Sequence, residues 1–186
     1  MRVEQLSEEF EIELDACAYD LRPGLPPEGM PRAEAYAGRS YPSGYLDHLR
    51  QTAAEAGIEM LRPDLIPNTH KAHEATEFAR DGGRLAEFQR GVFHAYWEEG
   101  RNIGDAEVLC ELAEACGLDA AALRQALAEG RYAARVEEQF AWSRAAGVSG
   151  VPTFVFNERF AVVGAQEYLV FQDIAGRIMR GELKGT

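Results

Sequence analysis

Apolar residues recur along this chain with two different periods, and the order of those periods predicts its architecture. Positions 1–9, "MRVEQLSEE", read as the last turns of a helix. Through 10–17 the pattern alternates. Phe10, Ile12, Leu14 and Ala16 fall on one face and Glu11, Glu13, Asp15 and Cys17 on the other, which predicts a half-buried strand. Pro23, Pro26, Pro27 and Pro31 then crowd a loop in which no helix can continue. From about 45 to 146 the apolar spacing is three and four. Leu46, Leu49 and Ala53 share a face before a Gly57 stop; Ala72, Ala75, Phe78 and Ala79 precede Gly82–Gly83; Leu85, Phe88, Val92 and Tyr96 form a third stripe. Asp105 and Asp119 stand where N-caps belong, with Gly117 closing the helix between them.

The period then changes again. "TFVF" at 153–156 and "RFAVV" at 159–163 are short apolar runs joined by Asn157–Glu158, a two-residue hairpin connection in which Asn tolerates the left-handed conformation and Glu is the weaker second residue. A closing helix is predicted from Val170, Ile174 and Ile178, ending with Arg180 before Gly181. The order is partial helix, strand, helical block, hairpin, helix.

Composition narrows the class. A chain of 186 residues, 46% hydrophobic and 10% aromatic, can bury a substantial core and fits one domain, or a domain with a large insertion. Its 31 acidic and 19 basic residues give a formal net charge of −12, which argues against nucleic acid or an anionic membrane as partner, since both need clustered Lys and Arg. No stretch has the roughly 18 apolar residues of a spanning helix and the start lacks a secretory apolar core, so a cytoplasmic location is expected. Cys17, Cys110 and Cys116 are an odd number at wide spacing, which fits free thiols in a reducing compartment. Cys110 and Cys116 share one predicted helix about 9 Å apart along its axis, beyond the ~7 Å reach of a disulfide.

Other chemistry is sparse. His70 and His73 have helical spacing, but no cysteine or carboxylate completes a zinc-protease order, so they read as solvated or capping side chains. Neither glycine-rich phosphate loop occurs. Phe93, Trp97, Phe140 and Trp142 read as core or inter-domain packing rather than a ligand box. The unusual feature is Val151–Pro152 at the mouth of "TFVF". Proline gives no N–H to a ladder and survives in sheets at edges, bulges or the first position of a strand. Taken alone, Pro152 reads as an ordinary trans proline opening a strand.

Five stretches carry more. "LRPGLPPEG" (21–29), "NTHKAH" (68–73), "GRNIGDAEVL" (100–109), "GLDAAAL" (117–123) and above all "GVSGVPTFVF" followed by "VVGAQ" (147–166) resemble the DsbA family of thioredoxin-fold proteins, within it the cytoplasmic FrnE-like dithiol-disulfide isomerases. The resemblance implies an α/β, thioredoxin-like fold, with 1–43 and 147–186 forming the thioredoxin-like part and 44–146 a large all-helical insertion. It implies a cis Val151–Pro152 bond beside the redox centre, in a concave site between the two parts. There the backbone of Val151 would pair with an extended peptide substrate, and Asn68 and Thr69 would begin a helix looking toward the site. Helix capping explains Asn68 and Thr69 equally well.

The resemblance also implies a first strand and a Cys-x-x-Cys, or a serine in glutathione-dependent relatives, where this sequence has neither. The chain is therefore expected to begin some two dozen residues late and to be redox-inactive as it stands. Three functions follow: a thiol-disulfide oxidoreductase or isomerase acting on peptide and protein thiols without a cofactor, a glutathione-dependent isomerase, or a non-catalytic peptide-binding module. With the first strand lacking, segment 10–17 is expected to close against 153–156, or the exposed edges to pair in a homodimer.

Overall fold

Alanines set how closely the helices of the larger half pack. The computed structural model describes residues 2–38 and 42–183, so the expectations for 1, 39–41 and 184–186 lie outside it. It divides the chain into two units, one of Met1–Leu21 with Gln139–Thr186 and one of Arg22–Glu138. Among the described residues no helix is long and apolar enough to cross a membrane.

The helical unit is built on α4 (His70–Asp81), α5 (Leu85–Trp97), α6 (Ala106–Ala115) and α7 (Ala120–Glu129). Ala75 and Ala79 of α4 are fully buried, which lets Phe88 of α5, Leu109 and Ala113 of α6 and Leu123 of α7 close into one core without a gap. The caps are where the sequence puts them. Asp105 accepts the Glu107 N–H at 2.9 Å and Asp119 the Ala122 N–H at 3.0 Å, and Gly117 follows α6 with φ 75°. Each cap satisfies an orphan donor worth about 1 kcal/mol.

The stretch expected to be helical throughout is not. α3 (Tyr45–Glu55) is a helix with no buried residue, and the chain then runs without helix or strand to β2 (Leu65–Ile66), which pairs antiparallel with β1 (Met30–Pro31) of the proline-rich loop. A ladder of two residues is too short to leave a period in the sequence. Gly29 shows why that crossing is tight: its φ is 82°, and a Cβ there would lie 2.6 Å from the Ile66 carbonyl oxygen. After β1 comes α2 (Arg32–Ala35).

Helix α8 (Ala133–Ala145) runs across the division between units. In the smaller unit, β3 (Thr153–Phe156) and β4 (Phe160–Val163) form an antiparallel hairpin with Thr153 opposite Val163 and Phe156 opposite Phe160. Asn157 and Glu158 both take positive φ, 47° and 59°, as a type I′ connection requires. The hairpin lies against α9 (Tyr168–Met179) and α1 (Arg2–Glu9) through Leu6, Val162, Phe171 and Ala175. The buried face of α9 is Phe171 and Ala175; Val170, expected inward, is 38% exposed.

Two expectations for 10–17 are overturned. The segment is not a strand, and it does not close on β3, whose partner among the described residues is β4 alone. The alternation was real as burial, since Phe10, Ile12 and Ala16 are half-buried and their neighbours exposed, but Leu14 is 61% exposed. The segment is instead anchored at its far end, where the Ala18 N–H donates to Gln139 Oε1 of α8 at 2.6 Å. Phe93 and Trp142 likewise leave the core, at 63% and 43% exposure, while Phe140 is buried.

Phe88→Ala empties a fully enclosed site, and a loss of about 3–5 kcal/mol in unfolding free energy is expected from denaturant titration. A second expectation concerns pH. Asp81 accepts Arg135 Nη1 at 2.8 Å and the Tyr132 hydroxyl at 3.0 Å, and the Arg135 bond above all holds its carboxyl below the usual range. A depressed folded value gives stability that is complete above the unfolded pKa of about 3.9 and is lost as pH falls through the folded one. The melting-temperature gap between wild type and Asp81→Asn is therefore expected at pH 7 and expected to shrink below about pH 4.

Candidate functional site

The loop between α8 and β3 is fixed from both ends. At the helix end, Gly147 turns with φ 71° and the Val148 N–H returns to the Ser143 carbonyl at 2.9 Å, closing α8 in the manner of a Schellman cap. At the strand end, the Thr153 hydroxyl donates to the Gly150 carbonyl at 2.7 Å. Between them lies the Val151–Pro152 bond, which is cis.

Pro152 sits at the head of β3 at no cost to the ladder. It has no N–H to waste, and its carbonyl accepts the Gly164 N–H at 2.8 Å, one step beyond the Thr153–Val163 pair. Gly164, with φ 86°, and Gln166, whose Nε2 donates to the Val163 carbonyl at 2.8 Å, make the turn that leads from β4 to α9. Thus the "VVGAQ" stretch supports the proline from the opposite strand. Thr153 and Gly164 were not singled out in the sequence; their signal was a hydroxyl directly after the proline and a glycine directly after the second apolar run.

Val151 differs from its neighbours. Its side chain is 53% exposed, and neither its N–H nor its carbonyl bonds to any described residue. One residue on each side has its carbonyl engaged, Gly150 by Thr153 and Pro152 by Gly164. The loop therefore presents the unpaired peptide donor and acceptor of Val151 directly before the proline, in a stretch of chain held by cap, hydroxyl and ladder.

Asn68 and Thr69 belong to the helical unit, Val151 and Pro152 to the other. Asn68 uses both ends of its amide. Its Nδ2 donates to the Leu25 carbonyl at 2.7 Å and its Oδ1 accepts the His70 N–H at 2.9 Å, so it ties the proline-rich loop to the first turn of α4. Gly104 packs against the same point, since a Cβ there would lie 2.7 Å from the Asn68 carbonyl oxygen. Thr69 occupies the N-cap position without a capping bond, its hydroxyl 3.5 Å from His73 Nε2. His70 lies between two carboxylates, Glu74 and Glu137, each at 3.2 Å. Among the described residues no group of three or more His, Cys, Asp or Glu could hold a metal ion.

The chain is 28% identical over 166 residues to the uncharacterized protein YwbO of Bacillus subtilis (strain 168), covering 87% of this chain and 80% of that protein. Its fold superimposes on a probable DsbA oxidoreductase, SCO1869 of Streptomyces coelicolor, with a TM-score of 0.86 at 27% identity, over 100% of this chain and 84% of the other. A 2-hydroxychromene-2-carboxylate isomerase shares the fold at a TM-score of 0.70 and 22% identity, over 97% and 88% of the two chains. The DSBA-like thioredoxin domain model matches residues 1–175, and the chain, an α/β thioredoxin-like protein with a large helical part, belongs to that family.

Proposed function

We propose that this chain holds an extended polypeptide for thiol–disulfide exchange of the oxidoreductase or isomerase type, in the manner of a FrnE-like member of its family. The observation that carries the reading is that Val151, an exposed residue at the head of β3, has a backbone bonded to no described residue. A peptide laid alongside can give and accept one pair of main-chain hydrogen bonds there, the unit of strand addition. Such pairing reads backbone rather than side chains, which suits a protein whose substrates are polypeptide thiols and disulfides. The DsbA oxidoreductase similarity supports the same class of chemistry.

The thiols of this chain are not a redox pair under this reading. Cys110 is buried, and burial first of all raises its thiol pKa, with Glu107 adding to the rise and Arg124 opposing it. The Cys116 thiol is raised as well, by burial and then by Glu87. Exchange needs a thiolate. Cys110 lies within α6 and Cys116 caps its end, too far apart along the helix to bridge. Cys17 is exposed.

Binding is tested with an extended cysteine-containing decapeptide and a twin N-methylated at alternate backbone nitrogens. The parent peptide is expected to bind at least tenfold more tightly; equal affinity would remove main-chain pairing at Val151 as the mode of recognition. Chemistry is tested on the 186-residue chain itself. Ellman titration at neutral pH is expected to find one fast thiol, the exposed Cys17, a slower one, the half-buried Cys116, and one, the buried Cys110, that reacts only in denaturant; insulin reduction is expected to stay at the uncatalysed rate. Catalysed turnover lost in Cys17→Ala would assign the chemistry to that thiol.

A further inference from the structure

The helical unit contains a cleft that the peptide-holding role does not use. It is a cavity of about 150 Å³ between α3, segment 60–62 and the end of α5. Its apolar walls come from Leu46 and Leu49 of α3 on one side and Met60 and Leu61 on the other, with Trp97, Tyr36 and Tyr45 completing it.

The walls are held in place. After α3 the chain reverses at Gly57, φ 78°, with the Ile58 N–H returning to the Ala53 carbonyl at 2.9 Å. The returning segment is clipped to α5 by the Leu61 N–H on the Trp97 carbonyl at 2.6 Å. Trp97 is in turn set edge-on to Tyr96, ring centroids 4.7 Å apart. Helix α3 has an apolar face and no buried residue. Leu49 and Leu61 remain 38% and 41% exposed in the cleft they line.

The polar lining has one sign. Among the described residues three arginines, Arg32, Arg50 and Arg62, line the cleft, and no acidic residue does. Many of the other arginines of this acidic protein are paired with carboxylates, as Arg80 with Glu77, Arg124 with Glu107, Arg135 with Asp81 and Arg180 with Glu182. The three cleft arginines have no carboxylate partner among the described residues. Arg32 is fixed instead by neutral groups, its Nε on the Pro63 carbonyl at 2.5 Å and its Nη2 on the Tyr96 hydroxyl at 3.1 Å, with the guanidinium over the Tyr36 ring at 5.7 Å. Arg50 and Arg62 are exposed and uncommitted.

We propose that this cleft is a binding site for a small aromatic carboxylate. A volume of about 150 Å³ is what a single benzene-sized ring fills. Leucines, a methionine and three aromatic residues are the surface such a ring prefers, and guanidinium is the side chain whose fork matches a carboxylate. A neutral apolar ligand would leave the arginines without a role. A bare inorganic anion would leave the apolar walls wet.

The test uses 3-phenylpropionate as probe and the full chain carrying Trp142→Phe, so that Trp97 alone reports by fluorescence; calorimetry on the wild-type chain repeats the comparison if that variant does not fold. A saturable response is expected. The neutral amide, 3-phenylpropanamide, is expected to bind at least tenfold more weakly. The double variant Arg50→Gln, Arg62→Gln is expected to lose at least tenfold toward the carboxylate while keeping the wild-type circular dichroism and melting temperature. Absence of saturable binding, equal affinity for acid and amide, or wild-type affinity in the double variant would overturn the proposal. Because these residues are remote in sequence from Val151, the decapeptide result is independent of this one.

Discussion

The edge-on contact of Phe154 with Phe171 is what the smaller unit depends on. A two-stranded hairpin is at best marginally stable in water, and β3 and β4 have no third strand among the described residues. Phe171 of α9 is 4% exposed, with the Phe154 ring at 4.8 Å and 71° and the Phe156 ring at 6.4 Å. Both strand phenylalanines alternate onto the face that α9 covers. Burying the Phe171 ring contributes about 1.5–3 kcal/mol, the half-buried Phe154 and Phe156 less, with about 0.5–1.5 more from the edge-on geometry. Leu6 of α1 closes the same cluster. Remove the wedge and the head of β3 loses its support, and with it the orientation of Val151.

What could be seen in advance follows the range of the interaction. The helix ends were legible because capping is local: an aspartate side chain bonds a donor two or three residues on, and a glycine just past the last turn needs nothing from the rest of the chain. The hairpin was legible for the same reason, its turn set by two residues. Segment 10–17 was not. Alternation reports that a chain has a wet face and a dry face, and an extended segment tied down at Ala18 has both without making a ladder. β1 and β2 were invisible because they pair across more than thirty residues and are two residues long.

The candidate site divides in the same way. Val151–Pro152 could be singled out from the motif around it, but Thr153 and Gly164, which fix the loop, show their role only through bonds that cross the hairpin or reverse the chain. Asn68 was visible as a residue and not as a function. Its amide holds Leu25 with one end and His70 with the other, and nothing in "NTHKAH" announces a partner 43 residues away. An asparagine whose amide oxygen is taken and whose nitrogen already holds the loop is a structural tie first, and any part it plays toward a substrate must use what is left of that nitrogen or its backbone.

Charge then separates two kinds of recognition. A protein of formal net charge −12 repels acidic ligands at a distance. A single pair of main-chain hydrogen bonds at Val151 is neutral, so under the proposed reading it discriminates little among sequences, and the surrounding acidity favours neutral or basic polypeptides on approach. The arginine-lined cleft works in the opposite sense. There the attraction must act at contact range, within about one Debye length of ~8 Å at physiological salt, because beyond it the acidic surface dominates. Three arginines lining one cleft, with no carboxylate among its described lining residues, supply such a local reversal. The two features therefore select ligands of different charge by different physics, backbone pairing in one unit and ring burial with ion pairing in the other.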